Sequence, residues 1–96
     1  MKTHLLVVAA AALLFAGAAH AQSGAELAKA KGCLNCHEME KKKIGPGLKE
    51  IAAKHKDSKD SEGKLVAMLR DGKGHMKVSA TEAEIRTLVQ YTLSQK

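Results

Sequence analysis

Two cysteines and a histidine stand together in the run Cys33-Leu34-Asn35-Cys36-His37, and their spacing is suited to chemistry. The pattern C-x-x-C-H is the attachment signal for c-type haem. Two intervening residues let one helical turn present both sulfur atoms to the vinyl groups at one haem edge. The adjacent histidine can then reach the iron through an imidazole nitrogen. We therefore predict one covalent haem c, with thioether bonds to Cys33 and Cys36 and with His37 as the proximal iron ligand.

Three other interpretations of the cysteine pair agree less well with the sequence. A disulfide between Cys33 and Cys36 is possible in an oxidising compartment. A thioredoxin-like redox pair would require a βαβ pattern, which this chain lacks. A structural zinc site usually draws on a second Cys/His pair at matched spacing, whereas His55 and His75 are scattered.

The opposite face of the iron needs a ligand from farther along the chain. The candidates by residue type are Met39, Met68, Met76, His55 and His75. Met39 is too close to the proximal histidine to cross the haem, and Met68 falls on the apolar side of a predicted helix. His55 stands beside lysines and is expected to face solvent. His75 and Met76 remain, adjacent in a glycine-bearing loop, and only one of them is expected to bind.

Residues 1–21 have the features of an export signal. A positive start is followed by an uncharged apolar run over residues 5–16, and residues 19–21 give the small-x-small pattern that signal peptidase accepts. The apolar run is shorter than the roughly 20 residues of a membrane-spanning helix. We predict cleavage after Ala21, one mature domain over residues 22–96, and no stable membrane insertion after cleavage.

The mature chain is small, basic and poor in aromatic residues. Tyr91 is the only Phe, Tyr or Trp in residues 22–96. A domain of this size buries too little surface to be stable by its side chains alone. A bulky apolar cofactor would add the missing buried surface. The whole chain has 16 Lys+Arg against 10 Asp+Glu, which favours a lysine-rich face for an acidic partner. Nucleic acid is not an expected partner, because recognition motifs and stacking aromatics are missing from the sequence.

Apolar residues at helical spacing predict four short helices and no strand, and thus an all-α fold. Breakers at residues 45–47 and at Gly72 separate the helices, and residues 54–63 are predicted to be an exposed connection. The last helix is the clearest, because Thr81 and Glu84 have the spacing of a capping box at its N-terminus.

These residues resemble class I cytochromes c, the short bacterial kind that carries electrons to periplasmic reductases and oxidases. Residues 31–37 match the haem-binding turn of that family, residues 44–52 look like its Gly-Pro loop and following helix, and residues 87–94 look like its C-terminal helix. The resemblance implies a cytochrome c-like fold, with about four short helices wrapped around one covalently bound haem. It also implies that Pro46 offers its backbone carbonyl to the ring N–H of His37.

The chain departs from that family on the distal side of the iron. The family's distal methionine is typically followed by proline, and the position counted back from Thr81 falls on His75, with Met76 in place of the proline. A shift of the loop by one residue would place Met76 at the ligand position. The spacing favours His75, whereas the usual ligand of the family favours Met76, and both remain open. Methionine ligation raises the reduction potential of haem iron, and a second imidazole usually lowers it.

Either ligand would make the iron six-coordinate, which indicates electron transfer rather than catalysis. We expect a periplasmic one-electron carrier, monomeric and not an enzyme, that docks transiently to redox proteins through a lysine-rich face at the haem edge. The candidate docking residues are Lys29, Lys31, Lys41, Lys42, Lys43 and Lys73. The alternative is a haem protein that binds or senses small ligands such as gases, in which a loop with Gly72 and Gly74 lets a weakly held distal residue leave the iron.

Overall fold

The computed structural model describes residues 22–96, and the predicted export signal over residues 1–21 lies outside the described residues. Within residues 22–96 the chain is helical and has no β-strand. Its elements are α1 (Gly24–Ala30), a short 3-10 turn (Cys33–Asn35), α2 (Leu48–His55), α3 (Ser61–Asp71) and α4 (Glu82–Leu93). The predicted all-α fold of four short helices is confirmed. None of these helices is long and apolar enough to cross a bilayer.

The ends of α4 and α3 follow from local chemistry. At the start of α4, the Thr81 hydroxyl accepts a hydrogen bond from the backbone N–H of Glu84 at 3.1 Å, and the Glu84 carboxylate accepts one from the N–H of Thr81 at 2.9 Å. The predicted capping box is therefore present. Helix α3 ends at Gly72, whose left-handed φ of 73° is strained for residues with a Cβ.

The connection between α2 and α3 is shorter than the sequence predicts. Residues 54–63 were expected to be exposed, yet α2 continues to His55 and α3 begins at Ser61. Ser61 is only 2% exposed, because a hydrogen bond of 3.0 Å joins its hydroxyl to Nδ1 of His55. This polar contact fixes the end of α2 against the start of α3, and apolar periodicity carries no signal for it.

Helix α4 is the centre of the fold, because α1, α2 and α3 all pack against it. Leu88 of α4 meets Leu27 and Ala28 of α1 in one apolar cluster. A second apolar cluster of buried side chains joins α3 and α4 and consists of Val66, Ile85 and Val89. With Leu48 and Ala52 of α2, the described residues contain eight buried apolar side chains, a small core for one domain.

Helices α1 and α4 cross closely at Gly24 and Tyr91. A Cβ atom built on Gly24 would overlap the Cβ of Tyr91, so glycine is needed for this approach. Tyr91 is half-buried and packs against the cluster of Leu27, Ala28 and Leu88. The crossing places the C-terminal end of α1, and hence the following 3-10 turn, beside α4.

Candidate functional site

The Cys33–Asn35 turn brings the two cysteines and the adjacent histidine to one cavity. Gly32 adopts a left-handed φ of 75° between α1 and the 3-10 turn. The Cys33 carbonyl then accepts hydrogen bonds from the N–H groups of Cys36 at 3.2 Å and His37 at 3.0 Å. Cys33, Cys36 and His37 all line the same cavity. The spacing of two intervening residues therefore places both thiols on one side of a compact turn.

Both thiols are free, and the pKa of Cys33 is shifted in the direction opposite to that of a reactive cysteine. No disulfide joins Cys33 and Cys36. Burial raises the pKa of the Cys33 thiol, and the neighbouring Cys36 adds to the rise, although a backbone hydrogen bond partly opposes it. Reactive cysteines have a lowered pKa instead. No group of three or more His, Cys, Asp or Glu residues in the described part of the chain could hold a metal ion by itself.

The ring of His37 is fixed from behind by the Gly-Pro loop, residues 38–47. Its Nδ1 lies 2.6 Å from the carbonyl oxygen of Pro46. Because a carbonyl can only accept, Nδ1 carries the proton and Nε2 is left as the free nitrogen. Gly45 lies against the same ring, and a Cβ atom built there would lie 2.8 Å from Nδ1 and would overlap Cε1. The N–H of Gly45 also donates to the Cys36 carbonyl at 2.7 Å, which ties the loop to the turn.

A second histidine lies across the cavity on the loop between α3 and α4, residues 72–80. The ring centroid of His75 is 6.0 Å from that of His37, and the two ring planes are within 4° of parallel. Nδ1 of His75 lies 2.7 Å from the backbone carbonyl of Met76, so its Nε2 is free in the same way. The Met76 side chain reaches the lining of the cavity but is 71% exposed.

The cavity between these residues has a volume of about 640 Å³, within the range of about 300–1,000 Å³ for cofactor sites. Its apolar wall is drawn from α1, α2, α3, the 72–80 loop and α4, and includes Ala28, Leu48, Ile51, Leu65, Met68, Leu69, Val78, Leu88 and Val89. A covalently attached haem requires two neighbouring thiols, an imidazole beside them and apolar surroundings. The cavity offers all three, and the imidazole is held by a hydrogen bond to a backbone carbonyl. The residues present therefore fit haem c.

The remaining candidate ligands are distributed differently. His55 is half-buried, contacts Ser61 and lines the cavity, so the expectation that it faces solvent is wrong. The physical reason is that α2 ends with its last turn against the start of α3. Met68 is half-buried on α3 and also lines the cavity, whereas Met39 is half-buried but is not part of the lining.

Three lysines line the cavity, and only Lys31 is among the six that the sequence predicts for a docking face. Lys31 belongs to the lining and lies 3.8 Å from the Glu84 carboxylate. Lys54 and Lys77 also belong to the lining and are exposed. Sequence reasoning missed these two, because the helix end and the loop that bring them to the rim become visible only in the fold. The other candidates, Lys29, Lys41, Lys42, Lys43 and Lys73, are exposed but lie outside the lining.

Comparison with known proteins points to one family. The family model described as "Cytochrome c" matches residues 21–96. Cytochrome c-552 of Nitrosomonas europaea is 37% identical, with the whole of both chains aligned. Cytochrome c-551 of Pseudomonas aeruginosa is 32% identical over 96% of this chain and 95% of its own. The crystal structure of wild-type Nitrosomonas europaea cytochrome c552 superposes with a TM-score of 0.66 at 32% identity, covering 75% of this chain and 99% of that one.

Proposed function

The chain belongs to the cytochrome c family, and from this membership we propose that it is a periplasmic one-electron carrier with a six-coordinate haem iron. Members of the family bind one covalently attached haem c and carry electrons rather than act as enzymes. The finer assignment concerns this chain's own residues. Cys33 and Cys36 form the thioether bonds, His37 is the proximal ligand, and the distal ligand comes from His75 or Met76.

The observation that carries this assignment is the geometry of His37 beside the two thiols. The ring projects into the cavity that Cys33 and Cys36 line, and its Nδ1 donates to Pro46 at 2.6 Å. A carbonyl acceptor on the rear nitrogen fixes both the tautomer and the ring orientation of a metal-binding histidine, and it strengthens the ligand as a donor. Pro46 therefore positions His37, and Gly45 leaves room for the ring.

The remaining residues control the surroundings of the cofactor. When bound, haem c supplies a one-electron couple between Fe(III) and Fe(II). The apolar side chains of the cavity wall exclude water, and burial of this kind is one of the features that set a haem potential. With His37 and one of His75 or Met76 holding the iron, no position would be open for a substrate, which agrees with a carrier and not with a catalyst.

Docking to redox partners is proposed to use the basic rim of the cavity. Lys54 and Lys77 are exposed at this rim, and Lys31 lies there beside Glu84. Exposed lysines steer encounter with an acidic protein surface and leave the complex short-lived, which suits repeated electron transfer. The proposal also includes that the mature protein is a monomer and that the export signal over residues 1–21 is cleaved.

Stopped-flow mixing with an inorganic redox reagent and with carbon monoxide tests this function. We expect fast, single-exponential one-electron reduction and reoxidation of the holoprotein, with negligible binding of carbon monoxide to the reduced form. Rapid carbon monoxide binding would support the alternative of a small-ligand sensor and contradict the closed carrier. If the lysines at the rim steer docking, the rate of electron transfer from the same sample to an acidic redox protein should fall as the salt concentration rises.

A further inference from the structure

We propose that His75, and not Met76, is the sixth ligand of the iron, which is then held between two nearly parallel imidazoles. This inference rests on the proposed function, because it presupposes a haem attached at Cys33 and Cys36 and bound by His37. It departs from the family's methionine habit and defines this protein as a carrier of lower potential.

The first argument is the orientation of the two rings. Nδ1 of His37 donates to Pro46 at 2.6 Å, and Nδ1 of His75 donates to Met76 at 2.7 Å. A metal-binding histidine usually gives its second ring N–H to a carbonyl or carboxylate in this way. Both rings therefore have the same nitrogen occupied by a backbone acceptor and the same nitrogen, Nε2, available for the iron.

The second argument is the distance between the rings. Metal–imidazole bonds are about 2 Å long, and the ring centre lies about 1 Å behind the nitrogen, so two imidazoles on opposite sides of one metal have centroids about 6 Å apart. The centroids of His37 and His75 are 6.0 Å apart, with an angle of 4° between the planes. The separation therefore agrees with two imidazoles bound to one iron.

The third argument is the register of the 72–80 loop, which is fixed at both ends. The N–H of Gly72 donates to the Met68 carbonyl, and the N–H of Val78 donates to the Leu69 carbonyl, each at 2.9 Å. Val78 also packs against both apolar clusters of the core. Between these anchors His75 is half-buried. A slip by one residue would break the Val78 contacts.

Met76 already has another role in this arrangement. Its side chain is 71% exposed, while its backbone carbonyl accepts the hydrogen bond from His75. If the Met76 sulfur turned inward to the iron, His75 would have to leave the cavity and this hydrogen bond would be lost. The one-residue departure from the family pattern therefore changes which side chain points inward.

Absorption and EPR spectra of the purified holoprotein and of two matched variants, His75→Ala and Met76→Leu, test the proposal. We expect oxidised wild-type protein to be low-spin, without the long-wavelength band of a methionine sulfur bound to iron. Near-parallel imidazoles should give a resolved rhombic low-spin EPR spectrum. Met76→Leu should keep the low-spin spectra of a bis-imidazole iron. His75→Ala should become high-spin or acquire a new methionine band, with a raised potential in the latter case.

Three results would overturn the proposal. A methionine band in the wild type that disappears in Met76→Leu would assign the ligand to Met76. Wild-type spectra in both variants would assign it to another residue, such as Met68 or His55. A highly anisotropic EPR signal typical of perpendicular rings would contradict the parallel arrangement. If His75→Ala fails to fold, the wild-type and Met76→Leu spectra still decide. Absence of covalent haem from every sample would instead refute the proposed function.

Discussion

The imidazole of His37 lies against two consecutive residues of one loop, because the Pro46 carbonyl oxygen accepts a hydrogen bond from its Nδ1–H, with 2.6 Å between the heavy atoms, and Gly45 contacts its ring. The Gly-Pro loop therefore serves the site with its backbone alone. One residue contributes a carbonyl oxygen, and the other contributes the lack of a side chain. The orientation of the His37 ring thus depends on residues that have no reactive group of their own.

Replacing Gly45 by alanine should displace the His37 ring. The added methyl group would overlap Cε1 and lie 2.8 Å from Nδ1, and overpacking of this kind typically costs about 1–3 kcal/mol. We expect a lower yield of low-spin holoprotein and a weakened proximal bond, measured by the absorption spectrum and by thermal unfolding. An unchanged spectrum and melting temperature would show that the ring does not need this space.

Replacing Gly24 by alanine should separate α1 from α4. A Cβ at this position overlaps that of Tyr91, and both atoms lie close to the backbone, so the helices themselves must move. We expect a loss of about 1–3 kcal/mol in the free energy of unfolding, measured by denaturant titration of the holoprotein.

Gly63→Ala is the matched control for that variant. Gly63 lies inside α3, and nothing stands within 4 Å of a Cβ built on it. Alanine is a better helix former than glycine, so this change should stabilise the protein by about 0.5–1 kcal/mol. Equal effects of the two substitutions would contradict the close crossing at Tyr91.

The capping box of α4 should make stability depend on pH. The hydrogen bond from the backbone of Thr81 to the Glu84 carboxylate lowers the pKa of Glu84 below its ordinary value of 4.5, with Lys31 adding to the effect. A lowered pKa in the folded state gives a contribution that is complete above the unfolded pKa and is lost as the pH falls through the folded one. Glu84→Gln keeps an acceptor but no charge, so its deficit relative to wild type should shrink below pH 4.5.

Thr81 provides a charge-free test of the same cap. Thr81→Ala removes the hydroxyl that accepts from Glu84 and should cost about 0.5–2 kcal/mol at neutral pH. Thr81→Ser keeps a hydroxyl and should remain close to wild type. Chemical unfolding of both variants measures the difference, and similar losses in the two would show that the hydroxyl does not stabilise α4.

The sequence predicts the parts of this protein that depend on short spacings. C-x-x-C-H needs only one turn, the Thr81 and Glu84 box needs only one helix start, and four apolar periodicities suffice for an all-α fold. The prediction of an exposed connection over residues 54–63 is wrong in part, because the hydrogen bond between His55 and Ser61 buries the start of α3. Polar pairs between elements leave no periodic signal.

The distal side of the site depends on tertiary contacts in a different way. Spacing alone leaves His75 and Met76 open, because a loop can shift by one residue without changing any local preference. The anchoring of Val78 to Leu69 fixes the register, and it is visible only when α3 and the loop are seen together. Lys54 and Lys77 likewise reach the lining of the cavity only through the fold.

The central claim is tested most directly by an intact-mass measurement. The protein is recovered from the periplasm of an expression host that matures c-type cytochromes, and it is unfolded before its mass is measured. We expect a single species with the mass of residues 22–96 plus one haem, because both thioether bonds and the cleavage after Ala21 survive unfolding. A haem-free mass, with Cys33 and Cys36 as thiols or as a disulfide, would contradict covalent attachment at these cysteines and with it the proposed electron carrier.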